Sequence, residues 1–381
     1  MDHQSDDDKE EETLYDLIKD ADFYQTSGNT IMVDDCWEKV MLQGKEKEEE
    51  VKRKYDGGDL TILSMTISYH APYNVVEMIS GIYPEACRDN IPTLPLYLVF
   101  SHMDGLPEWE RVIELLMRYY PEGIKNGEPD TTALHMLLEH QPSVHLVQSM
   151  VDCHRSLKTT DMLSESRSKP KRSKVTPLLL TKDENDSLPF HVAVEYQASD
   201  DVIGYLLSEY PNAVRDSRNH DGCLPLHIAI IFECTGVTLS ALVRAYPEAL
   251  KLPTLDEGEG TPLHLIFNLD KLDDKKKNNI YDKKKNNVRW SSNEIRANEI
   301  NSNLLSGEAT CEYLLAYHVK STKLSRKAKD IKKLVNIRNA KGQTVLQSAL
   351  ECAKVFPVPE SLLNLLRSAA KGAYTPVSFL P

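Results

Sequence analysis

The sequence lacks the features that would mark a secreted, membrane-spanning or zinc-bound protein. Its seven cysteines are scattered singly, and no Cys-x-x-Cys pair is present to hold a zinc ion. No apolar run approaches the roughly 20 residues that a membrane helix needs. The opening stretch, MDHQSDDDKEEE, is acidic, whereas a secretory signal has a basic start and an apolar core. We therefore predict a protein of the cytoplasm, with the nucleus as the alternative, whose cysteines are reduced.

Motifs of catalysis and of nucleic-acid binding are missing as well. The sequence contains no GxxxxGK[ST] phosphate loop, no HExxH metalloprotease motif and no GxSxG nucleophile motif. The formal net charge of -13 argues against nucleic acid as the main partner, because phosphate binding needs clustered lysine and arginine. We expect no enzymatic activity, no cofactor and no metal.

What the sequence does contain is a repeated phrase that ends in histidine. Three copies read LPFH, LPLH and TPLH, and a related copy reads TALH. The four histidines are His191, His227, His264 and His135. Weaker copies place another residue at the histidine position: Ser64, Tyr97 and Gln347. Successive copies are 33, 38, 56, 36, 37 and 83 residues apart. A period near 35 residues with two long steps predicts a repeat protein with two insertions.

Each copy has the pattern of two helices. Proline begins the first helix, where its fixed φ is favourable and its missing N–H costs nothing, as at Pro189, Pro225 and Pro262. The second helix carries an apolar stripe with a 3.6-residue period, as over residues 239–246. A helical pair of this size cannot bury its apolar face alone, so neighbouring pairs must stack. Four second helices are predicted to end before the proline of a Tyr-Pro pair: Pro84, Pro121, Pro211 and Pro247.

These phrases resemble T-P-L-H-x-A, the opening signature of ankyrin repeats. The matching stretches are LPFHVA over 188–193, LPLHIA over 224–229 and TPLHLI over 261–266. The resemblance covers roughly residues 56 to 370, with two interruptions. It implies an all-α fold, an α-solenoid of six or seven stacked helix-turn-helix repeats. Two departures from the family are the leucine that replaces the leading threonine in several copies and the Tyr-Pro exit that replaces a glycine-led one.

The period and the composition together predict how the chain is divided. The predicted segments are an acidic, partly disordered segment over 1–55, repeats over 56–155, a flexible Ser/Lys-rich insertion over 156–184, repeats over 185–269, a low-complexity Lys/Asn insertion over 270–303, repeats over 304–371 and a tail over 372–381. The first insertion contains KPKRSK, which is either a solvated loop or a nuclear-import signal. The second contains DKKKNN twice, for which a disordered stretch is favoured over an electrostatic contact.

The recurring histidines invite a metal or a catalytic interpretation. Stacked repeats would hold them on the order of 10 Å apart, the distance between packed helices. The ligands of one metal ion lie within a few Å of one another, so one ion cannot join them. We expect each imidazole to bond to the backbone around the turn between repeats. The neighbours Cys153 and His154 have no third member, so a Cys–His nucleophile is not expected.

A stacked array offers a long and rigid surface, which lowers the ordering cost of binding. We therefore predict a non-catalytic adaptor or scaffold that is monomeric alone and binds another protein. The alternatives are a self-associating structural array and an enzyme with an unrecognised site. The candidate partner-binding residues follow the histidine phrase or lie in the links between repeats: Tyr69, His70, His102, Tyr196, Asn219, His220, Phe232 and Glu233.

Overall fold

A computed structural model describes most of the chain and shows it to be all-α, as predicted. The described residues are 12–55, 60–90, 93–125, 131–161, 177–216, 222–254, 260–267, 311, 314–315, 327–354, 358 and 360–373. The chain forms two compact units. We call residues 1–137 with 145–178 the amino-terminal unit, and residues 138–144 with 179–381 the carboxy-terminal unit.

The amino-terminal unit is built from helices and one short antiparallel strand pair. Its strands are β1 (Lys54–Tyr55) and β2 (Leu60–Thr61). Its helices are α1 (Leu14–Thr26), α2 (Thr30–Glu46), α3 (Glu48–Val51), α4 (Ile62–Ser68), α5 (Tyr73–Ile82), α6 (Pro95–His102), α7 (Trp109–Tyr119), α8 (Ala133–Leu138, whose last residue belongs to the other unit) and α9 (Val144–Asp161, whose first residue does). Short 3₁₀ turns follow α5, α7 and α9 at Pro84–Arg88, Pro121–Lys125 and Pro177–Leu179.

The described part of the carboxy-terminal unit is helical. Its helices are α10 (Pro189–Glu195), α11 (Asp200–Glu209), α12 (Ala213–Asp216), α13 (Pro225–Ile231), α14 (Gly236–Ala245), α15 (Pro262–Leu265), α16 (Lys327–Val335), α17 (Val345–Cys352) and α18 (Glu360–Lys371), and a 3₁₀ turn spans Pro247–Lys251. Among the helices that the structure describes, none is long and apolar enough to cross a membrane.

The helical pairs stack as layers within each unit. In the amino-terminal unit, α4 packs on α6 and α5 packs on α7. In the carboxy-terminal unit, α10 packs on α13, which packs on α15, and α15 packs on α17, while α11 packs on α14. First helices therefore contact first helices, and second helices contact second helices. Consecutive pairs bury their apolar faces against each other, as the repeat pattern predicts.

The local sequence explains where the helices begin and end. Proline is the first residue of α6, α10, α13 and α15. The hydroxyl of Thr235 accepts the N–H of Thr238 at 3.1 Å and so caps α14. At the other end of α14, the Tyr246 N–H donates to the carbonyl oxygen of Leu242 at 3.0 Å. The next residue, Pro247, cannot continue the helix.

Residues 14–51, within the segment predicted to be acidic and partly disordered, form helices that pack into the fold. Helices α1 and α2 pack on each other, α1 packs on α4, and α2 packs on α5. Leu17 and Val40 are fully buried, and Trp37 is 3% exposed. No proline-led phrase precedes this helical pair. The stack of helical pairs thus begins before residue 56.

The first predicted insertion is also shorter than expected. Its residues 156–161 continue helix α9, and Leu178 and Leu179 near its other end are buried. The KPKRSK stretch lies outside the described residues, as does the predicted insertion over 270–303.

Replacement of Trp37 by alanine tests whether the first helical pair belongs to the folded core. Loss of a large buried ring leaves a cavity, so we expect Trp37→Ala to lower the free energy of unfolding by about 3–5 kcal/mol. Phe23 is the matched control on the same pair, because its side chain is 64% exposed. Phe23→Ala should change the unfolding free energy by less than about 0.5 kcal/mol. Urea denaturation followed by circular dichroism measures both, and equal effects of the two substitutions would contradict the assignment.

Candidate functional site

The histidine of each phrase lies at the third position of its first helix and closes the helix start. His191 Nδ1 accepts the N–H of Leu188 at 3.0 Å, and His227 Nδ1 accepts the N–H of Leu224 at 3.0 Å. Backbone N–H groups at a helix start have no partner within the helix. The imidazole supplies one, which compensates for the threonine hydroxyl that leucine replaces in these two copies.

Where threonine precedes the helix, both its backbone N–H and its hydroxyl contact the histidine Nδ1. His264 Nδ1 lies 3.3 Å from the Thr261 nitrogen and 2.8 Å from its hydroxyl, and the pair Thr132 and His135 shows the same arrangement at 3.4 and 2.9 Å. In α17, Gln347 takes the histidine's place, and its Oε1 accepts the N–H of the preceding threonine at 2.8 Å. Any short acceptor at this position can close the helix start.

The other ring nitrogen reaches the following repeat. His227 Nε2 lies 2.9 Å from the carbonyl oxygen of Leu252, and His264 Nε2 lies 3.1 Å from that of Gln343. Nδ1 accepts a backbone N–H, and Nε2 faces a carbonyl oxygen, which can only accept a hydrogen bond. The neutral tautomer with its proton on Nε2 therefore satisfies both bonds. One imidazole thus fixes its own helix and the link of the next repeat. Burial lowers the pKa of His264, while its bonds to backbone carbonyls oppose that shift.

The turn between the first and second helix of each repeat carries the predicted partner-binding residues. We define the turn row as residues 68–70 and 101–103 in the amino-terminal unit and residues 139–141, 195–197 and 231–233 in the carboxy-terminal unit. The second residue of each of these turns bears a ring: Tyr69, His102, His140, Tyr196 and Phe232.

The structure places most of the predicted residues in this row. Five of them are half-buried, namely Tyr69, His70, His102, Tyr196 and Phe232. Glu233 is exposed. Asn219 and His220 lie outside the described residues. The half-buried rings have one face against the protein and part of their surface open to solvent.

The third residue of four turns adopts a left-handed backbone conformation although it is not glycine. The φ angles are 58° at His70, 51° at Gln141, 54° at Gln197 and 56° at Glu233. An L-residue in this region costs roughly 1–2 kcal/mol relative to a right-handed conformation. The cost of a left-handed conformation at these positions must be offset by side-chain contacts that a glycine could not make.

Two of these side chains tie neighbouring turns of the carboxy-terminal unit together. Gln141 Nε2 donates to the carbonyl oxygen of Tyr196 at 3.4 Å. Gln197 Nε2 donates in turn to the carbonyl oxygen of Phe232. The sequence analysis missed this arrangement, although glutamine stands six residues after the histidine in both copies. The bonds hold three successive turns side by side.

Carboxylates surround the central ring of this row. Burial raises the pKa of Glu139, although part of its side chain reaches solvent, and the hydrogen bond from Tyr196 partly offsets the shift. Asp183, in the link before α10, raises the pKa of Glu139 further. The pKa of Tyr196 is raised by burial and then by the nearby carboxylates of Glu139 and Glu195. Negative charge therefore collects at this turn.

The turns of the amino-terminal unit hold a pair of imidazoles. The rings of His70 and His102 lie edge to face with centroids 5.7 Å apart, and Gln25 Nε2 lies 3.5 Å from His70 Nδ1. Burial and the neighbouring His70 lower the pKa of His102. A Cβ on Gly105 would come within 2.7 Å of the His70 ring, so this glycine lets the chain pass the ring closely.

The opposite end of each repeat, at the Tyr-Pro exit, carries a different contact. Arg88 lies over the ring of Tyr120 at 5.7 Å, within the amino-terminal unit. Arg215 lies over Tyr246 at 5.5 Å, within the carboxy-terminal unit, and donates to the carbonyl oxygen of Ala245 at 3.1 Å. Each arginine comes five residues after the tyrosine of its own repeat and stacks on that of the next. The Tyr-Pro exit thus connects repeats as well as ending a helix.

Metal-ligating groups and reactive thiols can be assessed within the described residues. Within the described ranges, no group of three or more His, Cys, Asp or Glu side chains is placed to hold a metal ion. Burial raises the pKa of the Cys87 thiol to about 11 and also raises that of Cys153. A raised pKa disfavours the thiolate that nucleophilic attack requires.

Comparison with known proteins adds little. No family model matches the chain, and no curated protein matches it. Among solved structures, the ankyrin repeat domain of Bcl-3, described as a unique member of the IkappaB protein family, is similar to 72% of this chain over 97% of its own length. The sequence identity is 15% and the TM-score is 0.33. Similarity at this level does not assign a function to the chain.

Replacement of His264 by glutamine tests the role of the buried imidazole through its pH dependence. Because folding lowers the pKa of His264, the imidazole is protonated below about pH 6.5 in the unfolded chain but only at lower pH in the folded chain. The contribution of His264 to stability is therefore complete above that pH and is lost as the pH falls below it. Glutamine keeps the acceptor, as Gln347 does in α17, but does not titrate. We expect His264→Gln to cost about 1 kcal/mol at pH 7.5 and to lose less stability on acidification to pH 5.5.

Urea denaturation at the two pH values measures this difference. The control is His145→Gln, because the His145 side chain is 76% exposed. The control should change the free energy of unfolding at pH 7.5 by less than about 0.5 kcal/mol. If His264→Gln loses as much stability on acidification as the unchanged protein does, the imidazole is not held neutral by the fold.

Proposed function

We propose that this protein is a non-catalytic adaptor or scaffold that recognises another protein through the turn row of its carboxy-terminal unit. The observation that carries the proposal is the pair of glutamine bonds at Gln141 and Gln197. These bonds join three neighbouring turns, each of which carries a ring. Turns that are joined before binding lose little conformational freedom when a partner packs on them.

Further features support a binding role over a catalytic one. Both ring nitrogens of His227 are engaged in the fold, one in closing a helix start and the other in contacting the following link. Half-buried aromatic side chains such as Tyr196 and Phe232 are the kind of residue that anchors protein interfaces. We propose that the protein acts in the cytoplasm or nucleus and is a monomer until it meets its partner.

Proximity labelling in the native cell tests the proposal. We expect the double variant Glu139→Arg and Glu233→Arg, which reverses charge in the turn row, to reduce labelling of the bound proteins at least threefold. The matched control is Glu85→Arg with Glu248→Arg, which makes the same charge change at exposed positions of two Tyr-Pro exits. The control should label the same proteins as the unchanged chain. Equal loss in both variants, or no loss in either, would contradict recognition through the turn row.

Light scattering on the purified chain separates this function from self-association. An adaptor of this kind should have the mass of one chain over the whole accessible concentration range. A mass that rises with concentration and returns to one chain in the Glu139→Arg, Glu233→Arg variant would instead favour a self-associating array.

A further inference from the structure

We propose that the turn row of the carboxy-terminal unit binds an extended segment of a partner protein that carries lysine or arginine at every third residue. We call residues 139–141, 195–197 and 231–233 the acidic turn row. This inference rests on the proposed function and names the chemistry of its partner.

Charge complementarity is the first argument. Each of the three turns contributes one glutamate, namely Glu139, Glu195 and Glu233. Neither lysine nor arginine occurs in the stretches that form and flank the turns, residues 138–144, 194–203 and 228–236. The nearest lysine in sequence, Lys182 in the link before α10, is paired with Asp186 at 2.6 Å. A cationic segment would therefore meet a carboxylate at each of the three turns.

The rings supply the second argument. One ring accompanies the glutamate of each turn, and two of these rings, Tyr196 and Phe232, are aromatic faces that attract cations. An arginine or lysine on this row would lie over an aromatic ring and beside a carboxylate at once. A purely acidic surface would bind any cation, including small ions, whereas rings and carboxylates together favour the long apolar stem and charged head of Lys and Arg.

Spacing gives the third argument. The bond from Gln141 to Tyr196 and the bond from Gln197 to Phe232 place successive turns side by side. Packed helices, and so the repeats that contain them, are separated by roughly 8–10 Å. An extended peptide in the polyproline II conformation advances about 3.1 Å per residue and makes one turn in three residues, so every third side chain lies on the same face and meets the next turn. The row matches three cationic residues at positions i, i+3 and i+6.

The glutamine side chains of the turns bond to neighbouring turns and not to the backbone of a partner. Gln141 and Gln197 already donate to carbonyl oxygens of neighbouring turns. An added cation would also favour the Glu139 carboxylate, because burial and the nearby carboxylate of Asp183 raise the pKa of Glu139 in the free protein.

A peptide-binding assay on the full chain tests the inference. The probe is a fluorescein-labelled 12-residue peptide with arginine at every third position and Ser, Gly and Ala between. Two comparison peptides have the same composition with the arginines adjacent, or glutamine in place of arginine. Fluorescence anisotropy should show the spaced peptide binding at least tenfold more tightly than the adjacent one. The glutamine peptide should not bind.

Two triple variants locate the site. Glu139→Gln, Glu195→Gln and Glu233→Gln together should weaken binding of the spaced peptide at least tenfold. The matched control changes Glu85, Glu122 and Glu248, which all follow a Tyr-Pro proline and are exposed, to glutamine. It removes the same net charge and should change affinity less than twofold. Phe232→Leu, which keeps an apolar side chain but removes the ring, should weaken binding about threefold to tenfold.

Several outcomes would overturn the inference. Equal binding of the two arginine peptides would reject the spacing, and equal weakening by both triple variants would reduce the attraction to net charge alone. Tighter peptide binding after deletion of residues 162–176 would assign the row to the chain's own basic segment. A molecular mass that rises with concentration in the unchanged chain, but not in the variant with Glu139, Glu195 and Glu233 changed to glutamine, would assign the acidic turn row to a second copy of the chain. If the peptides fail while the proximity-labelling result holds, protein recognition stands and only the basic chemistry of the partner is rejected.

Discussion

A helical pair of about 35 residues has too little interior to bury its own apolar flank, and this limit governs the rest of the structure. Leu226 and Ile230 of α13 are each 2% exposed although α13 is only two turns long. Such burial is possible only because α10 lies on one side of α13 and α15 on the other. Each pair therefore depends on its neighbours, and features that hold neighbours in register recur once per repeat.

Three kinds of polar contact perform that task at different places in the repeat. The imidazole of His227 joins a helix start to the following link, the amide of Gln197 joins one turn to the next, and Arg215 joins two Tyr-Pro exits. Each contact links two repeats with one side chain. Because these groups are engaged within the fold, we propose that a partner meets the half-buried rings and the glutamates of the turns instead.

The sequence predicted the elements that depend on local residue chemistry. Proline at the first helical position, an acceptor at the third and Tyr-Pro at the exit all act within one helix or its ends, so their recurrence in the sequence is enough to predict them. The packing of the α1–α2 pair on the repeats was not predicted, because burial of Trp37 depends on contact with a repeat that the pair does not resemble. The roles of Gln141 and Gln197 were not predicted, because each side chain donates a hydrogen bond to a carbonyl oxygen of another repeat. A helix can be predicted from the local residue pattern, whereas contacts between repeats can be identified only when the fold is known.

The dependence of each pair on its neighbours is tested most directly by hydrogen exchange after removal of one core side chain. Leu226→Ala deletes a buried group of α13, and a loss of about 2–5 kcal/mol is expected at the site. If neighbouring pairs stabilise one another, amide protection will fall in α10 and α15 as well as in α13. Loss of protection confined to α13, with α10 and α15 unchanged, would show that the pairs are stable independently and would contradict the account.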